Sequence, residues 1–90
     1  MSNEHLDRKS LRYINADIYP QIGDRVRFTN TPDILIVEDV IDSPEKQCHW
    51  GLLEEDVGVM LKGKPYGLVM THLGEYNDVE FVSRNIPGNK

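Results

Sequence analysis

The stretch VGVMLKGKPYGLVMTHL, residues 57–73, has the densest apolar content in the chain and decides the predicted fold. Its first half places Val59 and Leu61 on one side of the chain, at the period of two that a half-buried strand requires. Its second half alternates in the same way. The intervening KGKP, residues 62–65, is a turn sequence in which Gly63 is free to adopt a positive φ. The stretch therefore predicts a β-hairpin.

Three other segments show the alternation that is typical of strands: residues 24–30, 34–41 and 79–84. The period of the second one drifts near Glu38, which predicts a β-bulge or bend there. The first two segments are separated by a turn sequence and are expected to pair as a hairpin. Together with the central hairpin they make five short strands, and we expect Val59, Leu68 and Phe81 to point into one core.

Two segments do not alternate. In residues 11–18 the apolar side chains are spaced by three and four, which predicts a short N-terminal helical turn. Residues 42–56 (DSPEKQCHWGLLEED) form the longest non-strand segment, and we expect one long loop, with a single helical turn as the alternative. Trp50 is too large and apolar to stay in solvent, so it should pack over the open end of the predicted barrel or belong to a binding face.

The opening GDRVRF of residues 23–28 and the turn-then-strand ending of residues 74–82 resemble SH3-type and KOW-type barrels. The resemblance implies a small five-stranded antiparallel SH3-like barrel with one long loop, and it carries no catalytic residue across. The predicted organisation is a flexible tail over residues 1–10, a single β-barrel domain over residues 11–86, and a flexible tail over residues 87–90.

Composition limits the function. The chain has 90 residues, with 15 acidic against 10 basic side chains and a formal net charge of −5. A domain this small rarely forms a deep cleft, so we expect no enzyme, and a negative surface disfavours nucleic acid. A single cysteine, short apolar runs and a polar N-terminal stretch predict a cytoplasmic protein without a membrane segment.

The predicted site is an acidic interaction face that takes a protein partner with a basic surface, because complementary charge speeds association and gives selectivity. Its residues are Trp50, Glu54, Glu55, Asp56 and Tyr76. Tryptophan is enriched among residues that dominate binding energy, which makes Trp50 the anchor. A small acidic domain of this kind fits an inhibitor or an immunity-type protein that covers a basic active site.

Two alternatives rest on other residues. The first is an RNA- or ribosome-associated barrel, which requires four cations to converge: Arg25, Arg27, Lys62 and Lys64. The second uses Cys48 with His49 or His72, as metal ligands or as a thiol and its base. Adjacent Cys-His side chains do not easily reach one ion, and no orienting third group is visible. We therefore predict no metal, no cofactor and no catalytic residue.

Overall fold

The computed structural model describes residues 11–74 and 77–84, which form a mainly β domain with one five-stranded antiparallel sheet and one helix. The predicted tails, residues 1–10 and 87–90, lie outside the described residues, as does Tyr76. The elements are, in chain order, β1 (Arg25–Phe28), β2 (Leu35–Ile41), α1 (Pro44–Trp50), β3 (Gly58–Gly63), β4 (Gly67–His72) and β5 (Val79–Ser83).

The strand order across the sheet is β4-β3-β2-β1-β5, and every neighbouring pair is antiparallel. Both predicted hairpins are therefore confirmed. The sheet is not closed into the predicted barrel. The N-terminal segment covers the edge of β5 that does not pair with β1. The Ile14 amide donates to the Val79 carbonyl, and the Asn15 side chain both donates to and accepts from the Phe81 backbone. These bonds occupy backbone groups that β4 would need for closure.

The predicted N-terminal helical turn is wrong. Residues 13–16 form a tight turn in which the Tyr13 amide donates to the Ala16 carbonyl, at 3.2 Å. The turn buries Leu11 and Tyr13 and leaves Ile14 51 % exposed. The apolar residues spaced by three and four therefore do not form a buried helix face. The hydrogen bonds between this segment and β5 determine its conformation instead.

The long loop predicted over residues 42–56 contains the helix α1. Ser43 caps it by accepting from the Lys46 amide, and Pro44 occupies its first turn, where a proline costs no hydrogen bond. Gly51 ends the helix in the left-handed conformation, at a φ of 70°. The capping sequence Ser-Pro-Glu at residues 43–45 is the signal that sequence reasoning underused.

The main core lies on one face of the sheet, under the N-terminal segment. Its buried members are Leu11, Tyr13, Val26, Leu35, Val37, Val40, Val59, Leu61, Leu73 and Val79. The opposite face, called the outer face below, carries Ile41 and Met60, which are also buried but do not belong to that cluster. Helix α1 packs against β2. The outer face is thus divided into a covered part near the helix and an open part.

The expected core position of Leu68 is wrong. Leu68 pairs with Lys62, both are exposed, and the core side of β4 is formed by Val69 opposite Leu61. The predicted bulge in β2 is confirmed by the register shift between Val37 and Asp39.

The turn of the central hairpin also differs from the prediction. Gly67, not Gly63, takes the positive φ, at 77°.

Candidate functional site

The buried side chain of Gln47 holds the loop that follows α1 in place. The Gln47 Nε2 atom donates to the Glu54 carbonyl at 2.8 Å and to the Asp56 carbonyl at 3.2 Å. The Gln47 carbonyl in turn accepts from the Leu52 amide at 2.7 Å. A buried glutamine whose side-chain N–H groups both donate to backbone oxygens has its side-chain donors satisfied. It holds the loop in a defined path.

Asp56 fixes the other end of this loop. Its Oδ2 atom accepts from the Leu53 amide at 2.8 Å, and its Oδ1 atom lies 2.8 Å from His72 Nε2 on β4. The bond from the Leu53 amide, followed by the bond with His72, lowers the pKa of Asp56. Both carboxylate oxygens are thus used inside the protein. Asp56, predicted to bind a partner, is placed to orient the loop.

The fixed loop displays an apolar side chain beside two free carboxylates. Leu53 is 63 % exposed, and Glu54 and Glu55 are both exposed. We call residues 53–55 the acidic loop. Neither glutamate makes a side-chain hydrogen bond or ion pair within the described part of the chain. Both predicted glutamates are therefore available at the surface.

Trp50 is at the last position of α1 and is only half-buried. Its Nε1 atom donates to Asp39 Oδ2 at 2.8 Å, and Asp39 Oδ1 accepts from Lys46 Nζ and from the Val40 amide. Burial would raise the pKa of Asp39, but the bonds from Lys46, Trp50 and Val40 outweigh it and lower the pKa. The tryptophan predicted as an anchor is held on β2 by this carboxylate, just before the acidic loop. Tyr76, the remaining predicted site residue, cannot be placed beside it because it is outside the described residues.

The structure does not bring together the residues of the metal and thiol alternative, Cys48, His49 and His72. Cys48 is an exposed free thiol on α1, and the His49 ring packs edge-on against Trp50 at 5.2 Å. His72 bonds to Asp56. Within residues 11–74 and 77–84 no three His, Cys, Asp or Glu side chains are grouped so that they could share a metal ion.

Two of the four cations of the RNA alternative do converge. Arg25 pairs with Ile36 on β2, Ile36 pairs with Lys62 on β3, and Lys62 pairs with Leu68 on β4. These four exposed residues make one row across the open part of the outer face, called the basic row below. Arg27 instead donates to Glu80 at 2.8 Å.

Sequence reasoning missed a buried ionic cluster that joins both ends of the described chain. Asp24 is fully buried and accepts from Tyr13 Oη at 2.6 Å, from the Gln21 amide, and from two nitrogens of Arg84 at 2.7 and 2.8 Å. Arg84 also donates to the Tyr19 carbonyl. Burial raises the pKa of Asp24, but the bonds from Arg84, Tyr13 and the Gln21 amide outweigh it and lower the pKa.

Burial and the bond to Asp24 raise the pKa of Tyr13. With Tyr13 and Asp24 fully buried, the cluster ties the N-terminal turn and β1 to the end of β5. No local sequence pattern predicts this cluster, because Asp24 and Arg84 are 60 positions apart in the chain.

No helix in the described part of the chain is long and apolar enough to cross a membrane. No family model matches the sequence, and comparisons with curated proteins and with solved structures give no significant match.

Proposed function

We propose that the domain is a non-enzymatic protein-binding module whose acidic loop docks on a basic protein surface. The observation that carries the proposal is the clamp on this loop: buried Gln47 and half-buried Asp56 fix a path that presents Leu53, Glu54 and Glu55 to solvent. A loop already held in its binding shape loses little conformational entropy when a partner docks.

The displayed groups define the chemistry of the partner. Two neighbouring free carboxylates attract lysine and arginine side chains, and the net charge of −5 strengthens the long-range attraction. Leu53 supplies an apolar contact, which suits a partner with an aliphatic or aromatic depression between its cations. An inhibitor or immunity-type protein that covers a basic active site has these requirements.

The experiment compares three forms of the protein as immobilised bait in a lysate of the source cells. One is the wild type, one is Glu54→Lys/Glu55→Lys, and the matched control is Asp17→Lys/Asp33→Lys, which makes the same charge change at exposed positions outside the acidic loop. We expect a defined basic protein on the first and third baits and at least about a tenfold weaker affinity for the second, since about 1.4 kcal/mol corresponds to tenfold. Titration of the purified partner supplies the affinities. Equal affinity for all three forms would reject the acidic loop as the binding site.

The RNA- or ribosome-associated alternative has weaker support. Only Arg25 and Lys62 share a row, Arg27 is neutralised by Glu80, and the side chains between the cations are aliphatic rather than aromatic. Sequence-tolerant RNA binding relies on aromatic stacking platforms. A salt-sensitive gel shift that Arg25→Glu/Arg27→Glu abolishes would favour this alternative over the acidic loop.

We also propose that the sheet belongs to the SH3-like class of folds. Strand β1 pairs with both β2 and β5, and register shifts at Arg25/Val26 and at Val37/Asp39 bend the sheet, which supports an open SH3-like sheet. Residual dipolar couplings measured by NMR that fit a flat sheet would contradict it. A cytoplasmic location is proposed on the free thiol of Cys48, and fractionation of the source cells tests it.

A further inference from the structure

The basic row offers a second surface, at the other end of the strands from the acidic loop. Strand β3 begins at Gly58, next to the loop, and reaches the row at Lys62. Helix α1 and Trp50 cover the outer face at Asp39 and leave the row open. Ile36 is 37 % and Leu68 47 % exposed, so the row combines two aliphatic side chains with two cations.

The cations of this region lack the acidic partners that the others have. Arg25, Lys62 and Lys64 have no carboxylate within ion-pair distance among residues 11–74 and 77–84, and Arg25 makes only a long contact to the Ser83 hydroxyl at 3.5 Å. The remaining described cations are all ion-paired: Arg12, Arg27, Lys46 and Arg84. In a chain with an excess of five acidic residues, three unpaired cations in one region make a locally positive surface.

We propose that the basic row binds an acidic, aliphatic segment of a partner protein. Neighbouring strands lie about 4.8 Å apart, so Arg25 and Lys62, with β2 between them, are about 10 Å apart and can receive two separate carboxylates. Ile36 and Leu68 interleave with them, so the segment needs apolar side chains next to its acidic ones. This surface is independent of the acidic loop.

A nucleic acid fits the row less well than a protein segment. It offers phosphates but needs aromatic side chains on which its bases stack. Tyr66, an exposed aromatic residue in the turn after β3, packs edge-on against Phe28 with ring centroids 5.3 Å apart, and Phe28 packs against the core cluster. A continuous polyanion would also meet the negative remainder of the surface.

The experiment uses a short fluorescein-labelled peptide in which glutamate and leucine alternate, and follows its anisotropy as the full-length protein is added. A second peptide carries serine in place of every leucine, and unlabelled oligouridylate serves as a competitor. The variants are Arg25→Glu/Lys62→Glu, the single variant Arg25→Glu, and Arg12→Glu as its charge-matched control on another part of the molecule. Thermal unfolding confirms that each variant is folded.

We expect the leucine peptide to bind more tightly than the serine peptide, the double variant to weaken its binding at least about tenfold, and Arg12→Glu to leave it unchanged. The loop variant Glu54→Lys/Glu55→Lys should not weaken it, which separates this proposal from the proposed function. The proposal is overturned if the leucine peptide does not bind, if the serine peptide binds equally well, or if Arg12→Glu acts like Arg25→Glu. Displacement of the peptide by equimolar oligouridylate would assign the row to nucleic acid instead.

Discussion

Removal of one hydroxyl from the buried cluster tests the architecture most directly. In Tyr13→Phe the ring keeps its place against Phe81, at a centroid distance of 5.5 Å, so no large cavity forms. The loss is the bond from Tyr13 Oη to the buried Asp24 carboxylate, at 2.6 Å. Hydrogen bonds to charged groups contribute about 1.5–3 kcal/mol, and we expect the free energy of unfolding to fall by about 2 kcal/mol. A domain of this size unfolds with roughly 5–13 kcal/mol, so the loss is large.

Urea unfolding followed by circular dichroism measures the change, and the midpoint of thermal unfolding should fall by roughly 10 °C. The matched control is Tyr19→Phe, because the Tyr19 hydroxyl donates to Asp42 at an exposed position. That control should lose less than about 1 kcal/mol. A Tyr13→Phe protein within about 0.5 kcal/mol of the wild type, or one no less stable than the control, would refute the buried hydrogen bond.

The pH dependence of the same variant provides a second readout. Because burial and Asp24 raise the pKa of Tyr13, the folded protein holds the phenol proton more tightly than the unfolded chain. The stability from Tyr13 is therefore present below the unfolded pKa of about 10 and is lost as the pH rises above it. Tyr13→Phe should lack this alkaline loss.

At acidic pH the dependence has the opposite sign, because stability is lost as the pH falls. The lowered pKa of Asp24 gives stability that is present above its unfolded pKa of about 3.9 and is lost as the pH falls below that value. The bond from Tyr13 is one cause of the lowered pKa, so the variant should lose less stability on acidification than the wild type. Identical pH profiles for the two proteins would contradict the coupling of Tyr13 to Asp24.

Two further predictions concern β3 and the tryptophan. Gly58→Ala would place a Cβ atom against the Thr71 carbonyl on β4, so we expect the free energy of unfolding in urea to fall by about 3 kcal/mol or more. The control Gly74→Ala, with open space around the added Cβ atom, should stay within about 0.5 kcal/mol of the wild type. Equal stabilities would show that β3 and β4 are farther apart. Asp39→Ala removes the acceptor of the Trp50 indole and should shift the emission of the single tryptophan to longer wavelength at a cost of about 1–2 kcal/mol. Because the pKa of Asp39 is lowered, acidification of the wild type should reproduce the shift only well below the ordinary carboxyl pKa of about 3.9. Unchanged emission in both cases would contradict the bond.

The exposure of the two glutamates in the acidic loop could be predicted from the sequence. The contacts that hold the loop in place could not. The acidic run of residues 54–56 is visible in the sequence, and Glu54 and Glu55 are indeed exposed. Nothing local distinguishes Asp56, whose carboxylate is used by the Leu53 amide and by His72. The role of Gln47 likewise depends on the fold of the helix and loop around it.

The sequence by itself determined where the strands lie, because alternation at a period of two and turn residues are local properties of the chain. It also determined the negative net charge and the contrast between residues 54–56 and the cations of β1 and β3.

Only the tertiary structure decided which face of each strand is covered. Alternation shows that Leu68 and Val69 point to opposite sides, but strand pairing and the position of α1 determine that Leu68 is the exposed one. The tertiary structure also decided how the outer edge of β5 is covered, since Asn15 bonds to the Phe81 backbone from 66 positions away. Contacts over such distances depend on the whole topology, so no local pattern in the sequence records them.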